Sequence, residues 1–180
     1  RTKIYISIAE HPEGKSIDPD APYKAMMSGL KYMKGDNQGA SEQVEQMRGF
    51  LMYAAIYTFR AGADAYYNKE FDKAIQLYEA LMPVFEHDKN KELERNNVSK
   101  QKVWLVSCYA AKAGGDFEAA KGYLNKLIES NYQDPQVYID MVNIYLEQDK
   151  DTTNALKYIE MGRGFFEDNP VLINSQINIK

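Results

Sequence analysis

The sequence predicts an all-α protein built from repeated helical hairpins, and its composition is the first indication. Hydrophobic residues make up 44% of the 180 residues and charged residues 27%, which is ordinary for a folded globular chain. Only 6 prolines and 11 glycines occur, and β-branched runs are scarce. Ala, Leu, Met, Lys, Glu and Gln fill most of the chain, and all of them favour helix. The second indication is that the chain overlays on itself.

Two self-overlays give the period of the repeat. The stretch EFDKAIQLYEAL (70–81) aligns without gaps on DFEAAKGYLNKL (116–127), which places Ala74 on Ala120, 46 residues later. A third copy follows with Ala155, another 35 residues on. Independently, residues 134–145 align on residues 169–180 with the same 35-residue shift. The chain therefore reads as units of about 34 to 35 residues, one of which carries an insertion.

Each unit contains two helical stripes joined by a turn. In the best-defined unit, apolar and small residues follow helical spacing, and then AGGD (113–116) interrupts the pattern. Asp116 is expected to cap the next helix, whose stripe begins at Phe117. An alanine at 120 lies where the two helices of a hairpin must approach each other closely, so a larger side chain there would push them apart. The same argument explains Ala74 in the preceding unit.

The pattern of large and small residues resembles the tetratricopeptide repeat. The positions that carry this resemblance are Gly62, Phe71, Ala74, Tyr78, Trp104, Cys108, Phe117, Ala120, Leu124 and Ala155. The resemblance implies an α-α superhelix of antiparallel helix pairs that binds proteins or peptides on its concave wall. The family's motif encodes packing rather than catalysis.

On this basis we expect a single array over 1–180. It comprises a partial repeat (1–40), a repeat with a long first helix capped by Ser41 (41–88), a repeat with an inserted polar extension (89–134), a repeat at 135–169, and the start of a further repeat or a capping helix (170–180). We interpret the insertion at 88–102 as longer helix ends that project from the array, with a loop as the alternative. Pro83 should bend or end the helix before it.

The sequence lacks the motifs of the common catalytic and cofactor sites. It has no glycine-rich phosphate loop and no metal-binding Cys/His spacing, and its two histidines and single Cys108 suggest surface and packing roles. A string from Asp149 to Glu160 partly matches a calcium-binding loop, but Asn154 replaces the required glycine, so Asp151 is expected to cap a helix instead. We predict no catalytic residue, no metal and no cofactor, and expect that the protein is not an enzyme.

Charge and hydropathy exclude two partner classes. The net charge is −4, so a basic footprint for nucleic acid is not expected. The longest mostly apolar run, 49–59, is too short for a membrane-spanning helix. The compartment stays open between the cytoplasm and, if a leader has been removed, the bacterial cell envelope. The repeat at each end looks clipped, which favours a longer natural chain or self-association through the ends.

The resemblance implies a concave wall lined by the first helix of each unit. The residues that project onto this wall are Phe59, Tyr66, Tyr67, Leu105, Tyr109, Lys112, Asn143 and Glu147. We expect them to bind an extended peptide with an apolar or acidic side chain. In an alternative interpretation, Tyr66 packs within its hairpin and only Tyr67 is accessible. Some tetratricopeptide co-chaperones clamp the C-terminal carboxylate of a partner with residues at particular repeat positions. Those positions hold different residues here, so carboxylate clamping is not implied.

Three functions remain from these observations. The first is a scaffold that binds a protein or peptide partner on the concave wall. The second is a cell-envelope protein that binds glycan or lipid within an uptake or assembly complex, for which exposed coplanar tyrosines would be needed. The third is an enzyme, which would require converging ionisable groups that the sequence does not provide.

Overall fold

The computed structural model describes residues 1–11, 13, 17–35 and 41–179. Over these residues the chain forms ten α-helices and one 3-10 helix and contains no strand, which confirms the all-α prediction for this part of the chain. The helices are α1 (Thr2–Glu10), α2 (Ala21–Met33), α3 (Glu42–Tyr67), α4 (Phe71–Glu79), the 3-10 helix (Met82–Glu86), α5 (Glu92–Arg95), α6 (Lys100–Gly114), α7 (Phe117–Glu129), α8 (Pro135–Glu147), α9 (Thr152–Phe165) and α10 (Pro170–Ile179).

The chain divides into two compact units, Arg1–Ala110 and Ala111–Lys180. In the first unit, the long helix α3 is central and packs against α1, α2, α4, α5 and the 3-10 helix. In the second unit, α8 packs against α7 and α9, and α9 also packs against α10. Each unit thus buries its apolar residues between successive helices of the chain.

Among the helices that begin at a side-chain cap, three have the cap at a residue the sequence predicts. The hydroxyl of Ser41 accepts a hydrogen bond from the backbone N–H of Val44 at the start of α3, at 3.3 Å. The carboxylate of Asp116 does the same for α7 at 2.9 Å, and that of Asp151 for α9 at 3.0 Å. Such caps satisfy backbone donors that have no partner inside the helix.

The turns inside the hairpins repeat with the same period as the alanines. Lys69, Gly115 and Lys150 adopt left-handed backbone conformations, with φ of 63°, 82° and 54°. They are spaced by 46 and 35 residues, as are Ala74, Ala120 and Ala155. In each of the first two turns, a backbone N–H donates a hydrogen bond of 2.9 Å to the helical carbonyl oxygen five residues earlier. This hydrogen bond closes the end of the helix. The repeat read from the sequence is therefore also a repeat of backbone geometry.

The helices of each hairpin approach closely at their small residues. Ala74, Ala120 and Ala155 are completely buried. A β-carbon added at Gly62 on α3 would lie 2.5 Å from the ring of Tyr78 on α4. Because these two residues lie at similar distances on either side of the turn at Lys69, α3 and α4 are antiparallel. Glycine here is required by the close approach of the neighbouring helix.

The insertion differs from the prediction of projecting helix ends. Helix α4 ends at Glu79, and Pro83 lies in the 3-10 helix that follows. The carboxylate of Asp88 then accepts hydrogen bonds from the backbone N–H groups at the start of the short helix α5, at 2.7 and 2.9 Å. Leu93 and Val98 are 0% and 1% exposed. The segment folds back because these two apolar side chains join the core of the first unit.

Candidate binding groove

One face of α3 lines two grooves in the first unit. The face runs along residues spaced by three or four positions, which places them on one side of a helix. The α3 residues that line the grooves are mainly Gln46, Gly49, Phe50, Tyr53, Tyr57, Arg60, Ala61, Asp64 and Tyr67, and Asn68 directly after the helix also lines the larger groove. Since α3 has 26 residues, it is long enough to carry both grooves, at roughly 39 Å.

The smaller of the two, which we term the apolar groove, lies between α1 and the first half of α3. It has a volume of about 510 Å³ and is lined by Lys3, Ile6, Ser7, Glu10, Gln46, Gly49, Phe50 and Tyr53. The ammonium of Lys3 lies 5.3 Å from the centre of the Phe50 ring. A β-carbon at Gly49 would have no atom within 4 Å, so the groove is open above this glycine.

The larger one, which we term the Tyr67 groove, lies along the second half of α3. Its volume is about 970 Å³. The other walls come from the turn before α2 and from the start of α4, and the lining residues outside α3 include Asp18, Pro19, Asp20, Pro22, Glu70, Lys73 and Leu77. The side chain of Tyr67 is 81% exposed at its edge, although tyrosine usually buries much of its ring.

A pair of tyrosines connects the two grooves. Tyr53 lines the apolar groove and Tyr57 lines the Tyr67 groove. Their ring centres are 4.6 Å apart, and the hydroxyl of Tyr53 donates a hydrogen bond to that of Tyr57 at 2.9 Å. Burial, followed by this hydrogen bond, raises the pKa of Tyr53, so the Tyr53 phenol stays protonated at neutral pH. The guanidinium of Arg60 lies over the Tyr57 ring at 5.1 Å.

Carboxylates outnumber cations among the described residues that line the Tyr67 groove. The four carboxylates are Asp18, Asp20, Asp64 and Glu70, and the two cations are Arg60 and Lys73. The Lys73 ammonium lies between two of the carboxylates, 3.1 Å from Asp20 and 3.9 Å from Glu70. The Asp18 carboxylate pairs with Lys24 at 2.8 Å, which lowers the pKa of Asp18. The groove is therefore polar and weakly acidic.

The predicted wall residues of the first unit do not all lie in the same environment. The Phe59 ring packs 5.4 Å from the ring of Tyr78, and the Tyr66 ring 5.7 Å from that of Phe71, so both contribute to the hairpin rather than to the groove. Tyr67 remains exposed, which agrees with the alternative interpretation. On α6, Leu105 is half-buried and Tyr109 is 38% exposed.

In the second unit, the predicted wall residue Lys112 forms an ion pair within the chain. The Lys112 ammonium lies 2.6 Å from a carboxylate oxygen of Asp140 on α8, and Asp140 is only 5% exposed. The other oxygen of Asp140 accepts a hydrogen bond from Gln136 at 2.9 Å. A nearby buried carboxylate therefore already pairs with Lys112, which argues against a role for this ammonium in attracting an acidic peptide side chain. Asn143 and Glu147 lie one turn apart and exposed on α8.

Sequence reasoning missed most of the residues that line the Tyr67 groove. The helical spacing of Tyr57, Arg60, Asp64 and Tyr67 on α3 was visible in the sequence and could have identified them. The contributions of Asp18, Asp20 and Lys73 could not be read this way. They depend on how the turn before α2 and the start of α4 pack beside α3.

The described residues provide neither a cluster of metal ligands nor a membrane-spanning helix. Within the described ranges, no group of three or more His, Cys, Asp or Glu side chains could hold a metal ion. Asp149 pairs with Lys121 at 2.7 Å and Asp151 caps α9, so these two residues of the calcium-like string have structural partners. In this part of the chain, no helix combines the length and apolarity that crossing a membrane requires.

The structure is that of an all-α protein of packed helical hairpins in which one face of a long helix lines two grooves. Comparison with known protein families, curated proteins and solved structures gave no match for this chain. Function is therefore argued from the groove itself.

Proposed function

We propose that the chain is a tetratricopeptide-type scaffold that binds an extended segment of a protein partner along α3. The observation that carries the proposal is the Tyr67 groove, an open groove of about 970 Å³ beside a tyrosine that is 81% exposed. Exposed aromatic side chains of this kind are enriched at protein interfaces, where they contribute much of the binding energy. The repetition of the hairpin turns at Lys69, Gly115 and Lys150 supports the repeat type.

The polar groups around the groove suit a peptide. An extended peptide presents unpaired backbone N–H and C=O groups, which need hydrogen-bonding partners once they leave water. Asn68, Arg60 and the four carboxylates can supply these partners, while Leu77 and the alanines of α3 provide apolar contact. The neighbouring apolar groove adds a place for a hydrophobic side chain next to Phe50.

The alternative of a glycan-binding wall has weaker support. Sugar rings stack on exposed aromatic faces, so this function would be favoured by tyrosines that lie in one plane. The Tyr66 and Tyr67 rings instead meet at 76°, edge to face, and Tyr66 is half-buried against the hairpin. A peptide is therefore the better-supported ligand.

Selection of peptides on the intact chain tests the proposal. A phage-displayed library of random twelve-residue peptides should yield sequences that bind the chain, and Tyr67→Ala should weaken their binding at least tenfold, about 1.4 kcal/mol. The control is Ile4→Ala, because Ile4 is 64% exposed on α1 but lines neither groove. Failure to enrich any peptide, or equal binding by Tyr67→Ala and the parent, would overturn the proposal.

A further inference from the structure

We infer that the partner segment is cationic at one end and apolar at the other. In this arrangement an arginine or lysine of the partner occupies the Tyr67 groove, and an aliphatic or aromatic side chain occupies the apolar groove. The inference rests on the proposed function, because it specifies the chemistry of the peptide that the same face of α3 binds.

The charge balance of the Tyr67 groove favours a cation over an anion. Of the described lining residues, four are carboxylates and two are cations. Both cations already have partners: Lys73 lies between Asp20 and Glu70, and Arg60 lies over the ring of Tyr57. Lys24, which lies outside the lining, pairs with Asp18, so the described charges around the groove still leave one carboxylate in excess. An incoming anion would therefore meet an excess of like charge. An incoming cation would share Glu70, which Lys73 holds only at 3.9 Å, and would bring the groove closer to neutrality.

The exposed ring of Tyr67 also favours a cation in the partner. A cation within about 6 Å of a tyrosine face is attracted by the electrons of the ring. The groove already contains one such contact, between Arg60 and Tyr57 at 5.1 Å. Tyr67 is 81% exposed and lines the same groove as Glu70, so a partner cation there could contact an aromatic ring and a carboxylate together.

The position of the apolar groove sets the spacing between the two side chains of the segment. Gly49, above which the apolar groove is open, and Tyr67 lie on the same helix, roughly 27 Å apart at 1.5 Å per residue. An extended chain covers this distance in about eight residues. The apolar side chain and the cation of the partner should therefore be about eight residues apart.

Pools of synthetic twelve-residue peptides provide the test on the full chain. Each pool fixes Arg, Lys, Gln or Glu at one position and randomises the rest, and binding is measured by fluorescence anisotropy. The Arg and Lys pools should bind at least tenfold more tightly than the Glu pools at the best position. Within the Arg pools, fixing Phe or Leu about eight residues away should increase affinity further.

Matched charge variants assign the preference to the groove. Asp64→Asn with Glu70→Gln should reduce the preference for Arg over Glu at least fivefold. The control, Asp72→Asn with Glu86→Gln, removes the same charge from exposed residues that line neither groove, and should leave the preference unchanged.

The outcomes separate this inference from the proposed function. Equal binding of Arg and Glu pools, tighter binding of Glu pools, or an unchanged preference in the Asp64→Asn/Glu70→Gln variant would overturn the inference while leaving peptide binding in place. Binding by none of the pools would overturn both.

Discussion

Replacing Ala74 by Glu should lower the free energy of unfolding by about 2–4 kcal/mol. Ala74 is completely buried on α4, where α4 packs against α3. The longer side chain would force the two helices apart and would also bury a carboxylate that has no partner. The same result is expected for Ala120→Glu on α7, because Ala120 is equally buried in the next repeat.

Urea unfolding followed by circular dichroism measures this effect. The control is Ala113→Glu, which places the same side chain at an exposed position of α6 and should change stability by less than about 0.5 kcal/mol. Unfolding midpoints of Ala74→Glu and Ala120→Glu that match those of the control would contradict the packing described for the hairpins.

Replacing Gly162 by Val should destabilise the second unit by at least about 2 kcal/mol. A β-carbon at Gly162 on α9 would lie 2.9 Å from the β-carbon of Tyr138 on α8 and 3.0 Å from Cδ1 of Leu172 on α10. The β-carbon of Tyr138 cannot move without its backbone, and both neighbouring residues are buried. The valine therefore has no space unless α9 shifts away from α8.

Gly164 offers a matched control two residues further along α9. A β-carbon there would have no atom within 4 Å, and the residue is exposed. Gly164→Ala should leave stability unchanged or raise it by up to about 1 kcal/mol, since alanine favours helix. Thermal melts that rank Gly162→Val at or above Gly164→Ala would show that α8 and α9 are not packed as described.

Local features of the fold could be predicted because each depends on residues close together in sequence. The helical stripe beginning at Phe117 and the caps at Ser41, Asp116 and Asp151 reflect spacing within one or two turns of helix. The shared offset of Ala74, Ala120 and Ala155 also predicted where tight contacts recur. These contacts involve small side chains, whose identity is itself visible in the sequence.

The insertion was predicted to project from the array because its polar composition does not indicate that two of its residues are buried. The stretch 88–102 is mostly polar, and polar composition usually indicates a solvated segment. Only Leu93 and Val98 are buried, and their spacing matches no complete helical stripe. Burying these two side chains stabilises the compact conformation enough to outweigh the polar character of the rest.

The candidate site could be predicted only in part, since charge pairing depends on tertiary contacts. Lys112 projects from its helix as expected, but nothing in its own stretch shows that Asp140 lies 2.6 Å away. Similarly, Tyr67 was placed correctly on an exposed face, whereas Asp18 and Asp20 lie far from it in sequence and near it in space. Periodicity shows which residues share one face of a helix. Tertiary packing decides which side chains from other parts of the chain lie beside that face.

Chemical-shift mapping of a selected peptide tests the central claim, binding along α3, most directly. The labelled chain is titrated with a twelve-residue peptide from the library and backbone amide shifts are followed by NMR. The account predicts the largest changes at residues 57–70 of α3 and the following turn, at 18–22 before α2, and near Gly49. Changes confined to residues 88–102, or to the second unit at 111–179, with the amides around Tyr67 unaffected, would contradict it.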